Sequence, residues 1–318
     1  MMNENAPGER SRRRVLVTGA SGLIGTALGR ALFARGWEVV PLRRGPGGGP
    51  RWDPARGEVD RSGIENFDAV VHLAGESIAG RFTERRKERI RESRRDGTLL
   101  LSETLASLEH RPSVLISASA MGIYGDRGDE TLVETSPPGT GFLAEVALEW
   151  ERATEPAARA GIRVVIMRHG LVMSRDGGAL PPMLRPARLG FGGRLGNGRQ
   201  WWSWIAMPDL LRAYLFALEH SELAGVVNVT APVAVRQREF ARALGRVLKR
   251  PAVLPAPAFA LRLLLGRGMA DALLLSSAKV EPARLLSAGF EFQFPALEPA
   301  LRAILAPPSV LTPPSAPR

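Results

Sequence analysis

The chain contains no cysteine, which excludes a disulfide framework, a thiolate nucleophile and a cysteine-ligated zinc site. Its four histidines (His72, His110, His169 and His220) show no His-Glu-x-x-His spacing, so no metal site is expected. Lysine and tyrosine are nearly absent: Lys87, Lys249 and Lys279 are the only lysines, Tyr124 and Tyr214 the only tyrosines. Neither tyrosine has a lysine four residues on, because those positions hold Gly128 and Leu218. Long apolar runs are missing too, since Arg, Pro and Gly interrupt every one, and no membrane partner is expected. The polar, basic start lacks an apolar signal core, so the expected location is cytoplasmic.

What is present is an ordinary globular composition, 45% hydrophobic and 24% charged over 318 residues, enough for one large domain or two coupled ones. The net charge of +11 comes almost wholly from arginine spread along the chain, not gathered in a stripe with interleaved aromatics. No nucleic-acid partner is therefore expected.

Short β-branched runs alternate with helical periodicity. Val15–Thr18, Trp37–Leu42, Asp68–Leu73, Val114–Ser117 and Arg163–Met167 read as strands, while Thr26–Arg35, Glu84–Leu108 and Phe142–Ala160 read as helices. This alternation predicts an α/β fold, a Rossmann-type doubly wound parallel sheet with a smaller mixed C-terminal lobe. The expected division is a basic tail at 1–13, a dinucleotide-binding domain at 14–170, a substrate lobe at 171–305 and a Pro-rich tail at 306–318. A late strand at 225–230 is expected to rejoin the sheet. Gly177–Gly198, rich in Gly, Pro and Arg, reads as a long loop or small lobe, Pro208–His220 reads as a helix, and Gln237–Leu248 and Ala258–Leu265 read as amphipathic helices.

Gly19-Ala20-Ser21-Gly22-Leu23-Ile24-Gly25 follows the first strand and opens a helix. Gly19 permits the tight turn, Gly22 allows close approach of a pyrophosphate, and Gly25 allows the helix to pack on the strand. The free N–H groups of the helix start then face the phosphates. The second strand ends in Arg43 and Arg44, where a site preferring NAD carries an acidic residue for the ribose 2′-hydroxyl. Guanidinium groups there suit a 2′-phosphate, and the expected cofactor is NADP(H).

Three motifs carry a family resemblance: Thr18–Gly25, Asp68–Gly75 (Asp-Ala-Val-Val-His-Leu-Ala-Gly) and Ser117–Gly125 (Ser-Ala-Ser-Ala-Met-Gly-Ile-Tyr-Gly). Together they resemble the short-chain dehydrogenase/reductase superfamily in its extended, epimerase-like branch. A closer resemblance is to an atypical "epimerase family" group, through Phe142-Leu143-Ala144-Glu145, Gln200-Trp201 and Pro282-Ala283-Arg284-Leu285. The resemblance implies cofactor contacts from Gly19, Ser21, Gly22, Leu23, Ile24, Gly25, Arg43 and Arg44. It also implies them from Leu73, Ala74 and Gly75 at a strand end, from Arg89, Arg94 and Arg168, and from Ser117.

The superfamily's proton relay is a Tyr with a Lys four residues later, and here the matching positions hold Phe142 and Val146. A phenyl and an isopropyl group move no protons. Ser119 and Tyr124 are the candidates to replace them, Tyr124 on condition that a cation such as Arg168 lowers its pKa. Glu76, Asp126, Glu145 and His169 are further titratable groups near the strand ends, and His72, inside a strand, reads as a packing residue. Trp201, Trp202 and Trp204 suit a pocket wall, a contact between lobes or an oligomer interface. Two readings stay open: an NADP(H)-dependent oxidoreductase or epimerase-like enzyme acting on an unidentified small molecule, or an NADP(H)-binding sensor or scaffold. The sequence does not fix the oligomeric state.

Overall fold

The computed structural model describes residues 12–45 and 47–306. The expected tails at 1–13 and 306–318 lie outside these residues except at their inner edges. Six parallel strands form the central sheet: β1 (Arg14–Thr18), β2 (Glu38–Leu42), β3 (Ala69–His72), β4 (Val114–Ala120), β5 (Arg163–His169) and β6 (Gly225–Val229). Their spatial order is β6-β5-β4-β3-β1-β2, so the direction of winding reverses between β1 and β3. Ligands of open α/β sheets sit at such a switch, beyond the carboxyl ends of the strands.

The strands are apolar on both sides because helices cover both faces. Val15, Val17, Val71 and Ile116 point to one layer, which is closed by α1 (Leu23–Ala34) and α6 (Met207–Glu219) through Leu28, Leu210 and Tyr214. Leu16, Val70 and Leu115 point to the other, against Leu101 and Leu105 of α2 (Glu84–Ala106). Alternation along each strand thus divides one sheet between two cores. On α2 the buried Ile90, Gly97, Thr98, Leu101 and Leu105 fall on one helical face, and Thr83 caps its start by accepting from the Arg86 N–H.

The helix expected over 142–160 is two helices, α3 (Phe142–Arg152) and α4 (Glu155–Arg159). Pro156 sits in the first turn of α4, where its missing N–H costs nothing, but it cannot continue a helix from before. The long loop or small lobe expected over 177–198 contains α5 (Leu180–Arg188). Its prolines disguise the signal, yet Leu180, Leu184 and Ala187 share one face and are buried. They pack with Trp202, Trp204 and residues of α7 (Gln237–Leu248) and of the helix Leu297–Leu305, which form the core of the second lobe. The strand expected at 225–230 joins the sheet as β6, beside β5.

α8 (Ala258–Leu265) follows α7 and runs into a short π-helical turn, Ala270–Leu275. Truncating Leu105→Ala should lower stability by about 2–5 kcal/mol, because its neighbours on α2 and the sheet cannot close the cavity. Urea unfolding monitored by tryptophan fluorescence measures the loss.

Candidate functional site

The turn after β1 is built as its glycines require. Gly19 has φ +65, and a Cβ on it would stand 2.8 Å from the Leu73 carbonyl. A Cβ on Gly25 would collide with the Gly19 carbonyl oxygen and lie 2.7 Å from Ala20 Cα. The loop, the helix and the end of β3 therefore meet backbone to backbone. Gly22 bonds its N–H to Gly19 O at 2.9 Å, and both Ser21 and Gly22 are exposed at the rim.

Thr18 fastens the same edge. Its Oγ accepts from the N–H groups of Leu73 (3.0 Å) and Ala74 (3.1 Å), so its proton is directed to His72 Nδ1 at 2.8 Å. His72 then carries its proton on Nε2 and donates to Thr98 Oγ at 2.9 Å. The ring is fully buried beside Trp52, and burial pulls its pKa down to about 4. His72 is thus a neutral clamp between β1, β3 and α2.

Arg43 and Arg44 are exposed at the end of β2, with no ion pair among the described residues. Arg94 lies over Gly75, donates to Glu76 O at 3.0 Å and faces the Trp150 ring, and burial draws its pKa down to about 10. Arg89 is exposed on α2, and Ser117 is buried in β4 beside His72.

Arg168 has a different setting. Strand register aligns Ser119, Arg168 and Asn228 on β4, β5 and β6. The buried guanidinium meets Glu151 of α3 in a two-pronged ion pair, Nε to Oε1 and Nη2 to Oε2, both 2.7 Å. Burial opposes its charge, but Glu151 and Tyr124 more than compensate, and its pKa is raised. Ser119 donates to Glu151 Oε1 at 2.6 Å. Arg168 Nη1 donates to the Tyr124 hydroxyl at 2.9 Å, and that hydroxyl donates to Asn228 Oδ1 at 2.7 Å. Glu134 Oε1 accepts from the N–H groups of Asn228 and Arg284, which ties in the C-terminal lobe.

Ser119 and Tyr124 are therefore enclosed, at 2% and 0% exposure. The cation required beside Tyr124 is present, but burial outweighs Arg168 and Asn228, and the phenol pKa is raised. Neither hydroxyl lines the neighbouring cleft. That cleft, of about 380 Å³, opens between Met121, Gly122, Phe142, Leu143, Leu171, Trp201 and Trp202, all close to the carboxyl edge of the sheet. Its walls are mainly apolar; the titratable groups on them are Lys87, Asp126 and Asp271. Lys87 Nζ stands 5.7 Å from the Phe142 ring centre and 2.8 Å from Glu84. Sequence spacing missed Lys87 and Asp271 because they reach the cleft from two remote segments.

Glu145 turns outward to Arg91, and His169 bonds Tyr214 at 2.9 Å. Asp209 is buried with its carboxylate accepting from the N–H groups of Gln293 and Phe294, both 2.8 Å; burial raises its pKa. The tryptophans divide. Trp204 is core and donates to Val233 O, Trp202 packs edge-on against Phe240, and Trp201 lies at the cleft with Arg236 stacked at 4.0 Å. Among the described residues no acidic, histidine or cysteine cluster suits a metal ion, and no helix is long and apolar enough to cross a membrane.

Residues 15–230 match the model of the NAD-dependent epimerase/dehydratase family. The chain belongs to that family. Residues 256–304 match a second model, of a domain of unknown function. Within the family, a Mycobacterium leprae epimerase family protein is 40% identical over 304 residues, covering 94% of this chain and 98% of the relative. The crystal structure of human epimerase family protein SDR39U1 (isoform 2) with NADPH superposes with a TM-score of 0.85 at 36% identity, covering 92% of this chain and 98% of that one. A nucleoside-diphosphate sugar epimerase from Corynebacterium glutamicum gives a TM-score of 0.76 at 36% identity, with 92% of this chain matched to 57% of that one.

Two outcomes test this geometry. Glu151→Ala should destabilise the fold by about 3–5 kcal/mol, because Arg168 is left charged and unpaired in the interior; chemical unfolding at neutral pH reads it. His72 binds a proton in the unfolded chain near pH 6.5 and in the folded one only near 4. Its contribution is complete above pH 6.5 and is lost as pH falls toward 4, by at most about 3 kcal/mol. Urea midpoints at several pH values should therefore fall across that window, and less steeply in His72→Gln.

Proposed function

We propose that this protein is an NADP(H)-dependent oxidoreductase or epimerase-like enzyme acting on a small molecule with a substantial apolar part. The observation that carries the reading is the juxtaposition of the glycine cradle with a mainly apolar cleft at one edge of the sheet. The space a Cβ would need at Gly19 and Gly25 is taken by backbone, the close packing a pyrophosphate turn requires. The NADPH named with the human relative supports the choice of cofactor.

Ser21, Gly22, Leu23, Ile24 and the free N–H groups of the α1 start would hold the pyrophosphate, with Arg43 and Arg44 on the 2′-phosphate. Leu73, Ala74 and Gly75 would border the adenosine and ribose, and Arg94 supports that strand end from below. A bound nicotinamide would supply hydride transfer. Phe142, Trp201 and Trp202 exclude water and orient flat or aliphatic substrate surface. Ser119, Tyr124 and Arg168 hold the floor of the cleft in position, and their saturated hydrogen bonds suit them to that task. Proton transfer falls to groups that face the cleft, of which Lys87 and Asp126 are the candidates. The expected setting is cytoplasmic.

Phe142 and Val146 also support the second reading, a cofactor-binding sensor without turnover. One set of measurements separates the two. NADPH should bind more tightly than NADH, and replacing Arg43 and Arg44 with Ala should weaken NADPH by roughly tenfold or more while leaving NADH nearly unchanged. Equal losses overturn the cofactor assignment. NADPH oxidation across apolar aldehydes and ketones that drops in Lys87→Met or Asp126→Asn supports the enzyme. Tight binding with no oxidation of any carbonyl supports the sensor.

A further inference from the structure

α8 is almost wholly apolar, Ala-Phe-Ala-Leu-Arg-Leu-Leu-Leu, yet it buries only Leu261. Phe259, Leu263 and Leu264 are 72%, 77% and 73% exposed. A helix apolar on every side normally lies inside a protein or a bilayer, not on a surface. The neighbouring loops add to the exposure. Phe191 and Ala252 form one backbone bridge and Leu195 and Ala256 another, so the segment after α5 lies along the segment leading into α8. These two bridged segments expose Leu189, Phe191, Val253 and Leu254. Of the eleven large apolar side chains exposed among the described residues, seven thus come from α8 and the two bridged segments beside its start.

The same two segments carry no acid. From Gly177 to Pro208 there are four arginines and no Asp or Glu; from Phe240 to Ala270 there are six basic residues and again no Asp or Glu. Arg238, Arg242, Lys249, Arg250 and Arg194 line a groove whose far wall is Pro251, Ala252 and Val253. Apolar tips and cationic side chains therefore share one surface, and nearby carboxylates offset few of them: Glu298 pairs with Arg246 and Asp271 with Arg262 and Arg267.

We propose that this face docks on an anionic lipid bilayer, with Phe259, Leu263, Leu264 and the Val253–Leu254 tip entering the headgroup boundary. The arginines of the groove then lie on the lipid phosphates. Protruding leucines and phenylalanine flanked by arginines that have no ion pair among the described residues are the features of an interfacial helix, which needs no spanning segment. The expectation of no membrane partner rested on the lack of such a segment. A second copy of the chain fits less well, since a two-fold interface would set one cationic rim against another.

The site is coupled to the cleft. Arg81 donates to the carbonyls of Leu263 and Leu264, at 3.0 and 3.3 Å, and the adjoining Phe82 lines the cleft. Gly268, Asp271, Ala272 and Leu273, which follow α8, also line it. Docking would set the mouth of the cleft at the bilayer surface, where apolar substrates concentrate.

The test is sedimentation of the full chain with phosphatidylglycerol/phosphatidylcholine vesicles. Binding is expected to the mixed vesicles and not to phosphatidylcholine alone, and to weaken in 0.5 M salt. The double change Phe259→Asp with Leu263→Asp should reduce it at least tenfold, as should Arg242→Glu with Arg250→Glu, with unfolding midpoints near that of the parent. All four positions are exposed, so the fold tolerates the changes. No binding to the mixed vesicles overturns the proposal. So does binding that survives the Phe259/Leu263 change. Capture by polyglutamate or DNA that survives that change assigns the face to a soluble polyanion, and dimerisation abolished by it assigns the face to a second copy; either also overturns the proposal. NADPH affinity measured in the same samples reports on the cofactor site separately.

Discussion

A guanidinium in the interior cannot stay charged without a partner of fixed geometry, and the ion pair of Arg168 with Glu151 is the constraint around which this molecule is assembled. It joins the fifth strand to the third helix, and each remaining polar atom nearby is placed by it. Ser119 completes Glu151, Tyr124 completes Arg168, Asn228 completes Tyr124, and Glu134 receives the backbone of Asn228 and Arg284. Three strands, a helix and the C-terminal lobe are thereby fixed relative to one another.

This arrangement changes how the missing Tyr/Lys pair is understood. Ser119 and Tyr124 are the hydroxyls that sequence order offers in compensation, yet both are used to satisfy the ion pair and are closed off from the cleft. The residues that do face it, Lys87, Asp126 and Asp271, come from three separate segments. Histidine is likewise structural where it is buried: His72 spends both ring nitrogens on threonines.

Most of the fold was legible because it depends on local pattern. Apolar β-branched runs gave the strands, and glycine spacing gave the turn at Gly19–Gly25, whose packing is a matter of backbone contact. What escaped was hidden by proline or set by tertiary partners. Prolines at 181, 182 and 186 concealed α5, although Leu180, Leu184 and Ala187 kept helical spacing. Pro156 divided a helix whose apolar periodicity reads as continuous. At the site, arginine positions were visible but their partners were not. Arg94 ends beside a strand terminus and Arg168 against a carboxylate, a distinction that depends on which way each strand or helix turns its side chains.

The edge strand β6 comes from chain well beyond the first five, after the whole of α5 and α6. It carries Asn228, the residue on which the Tyr124 hydroxyl terminates. A chain emerging from the ribosome therefore exposes one flank of β5 and leaves Tyr124 short of a partner until residue 229 has appeared, and Glu134 short of one until Arg284 has. The sheet is therefore an unfinished object when the chain is cut at residue 170. Lineages that rearrange domains by splicing at such a boundary would have to carry the strand along with them.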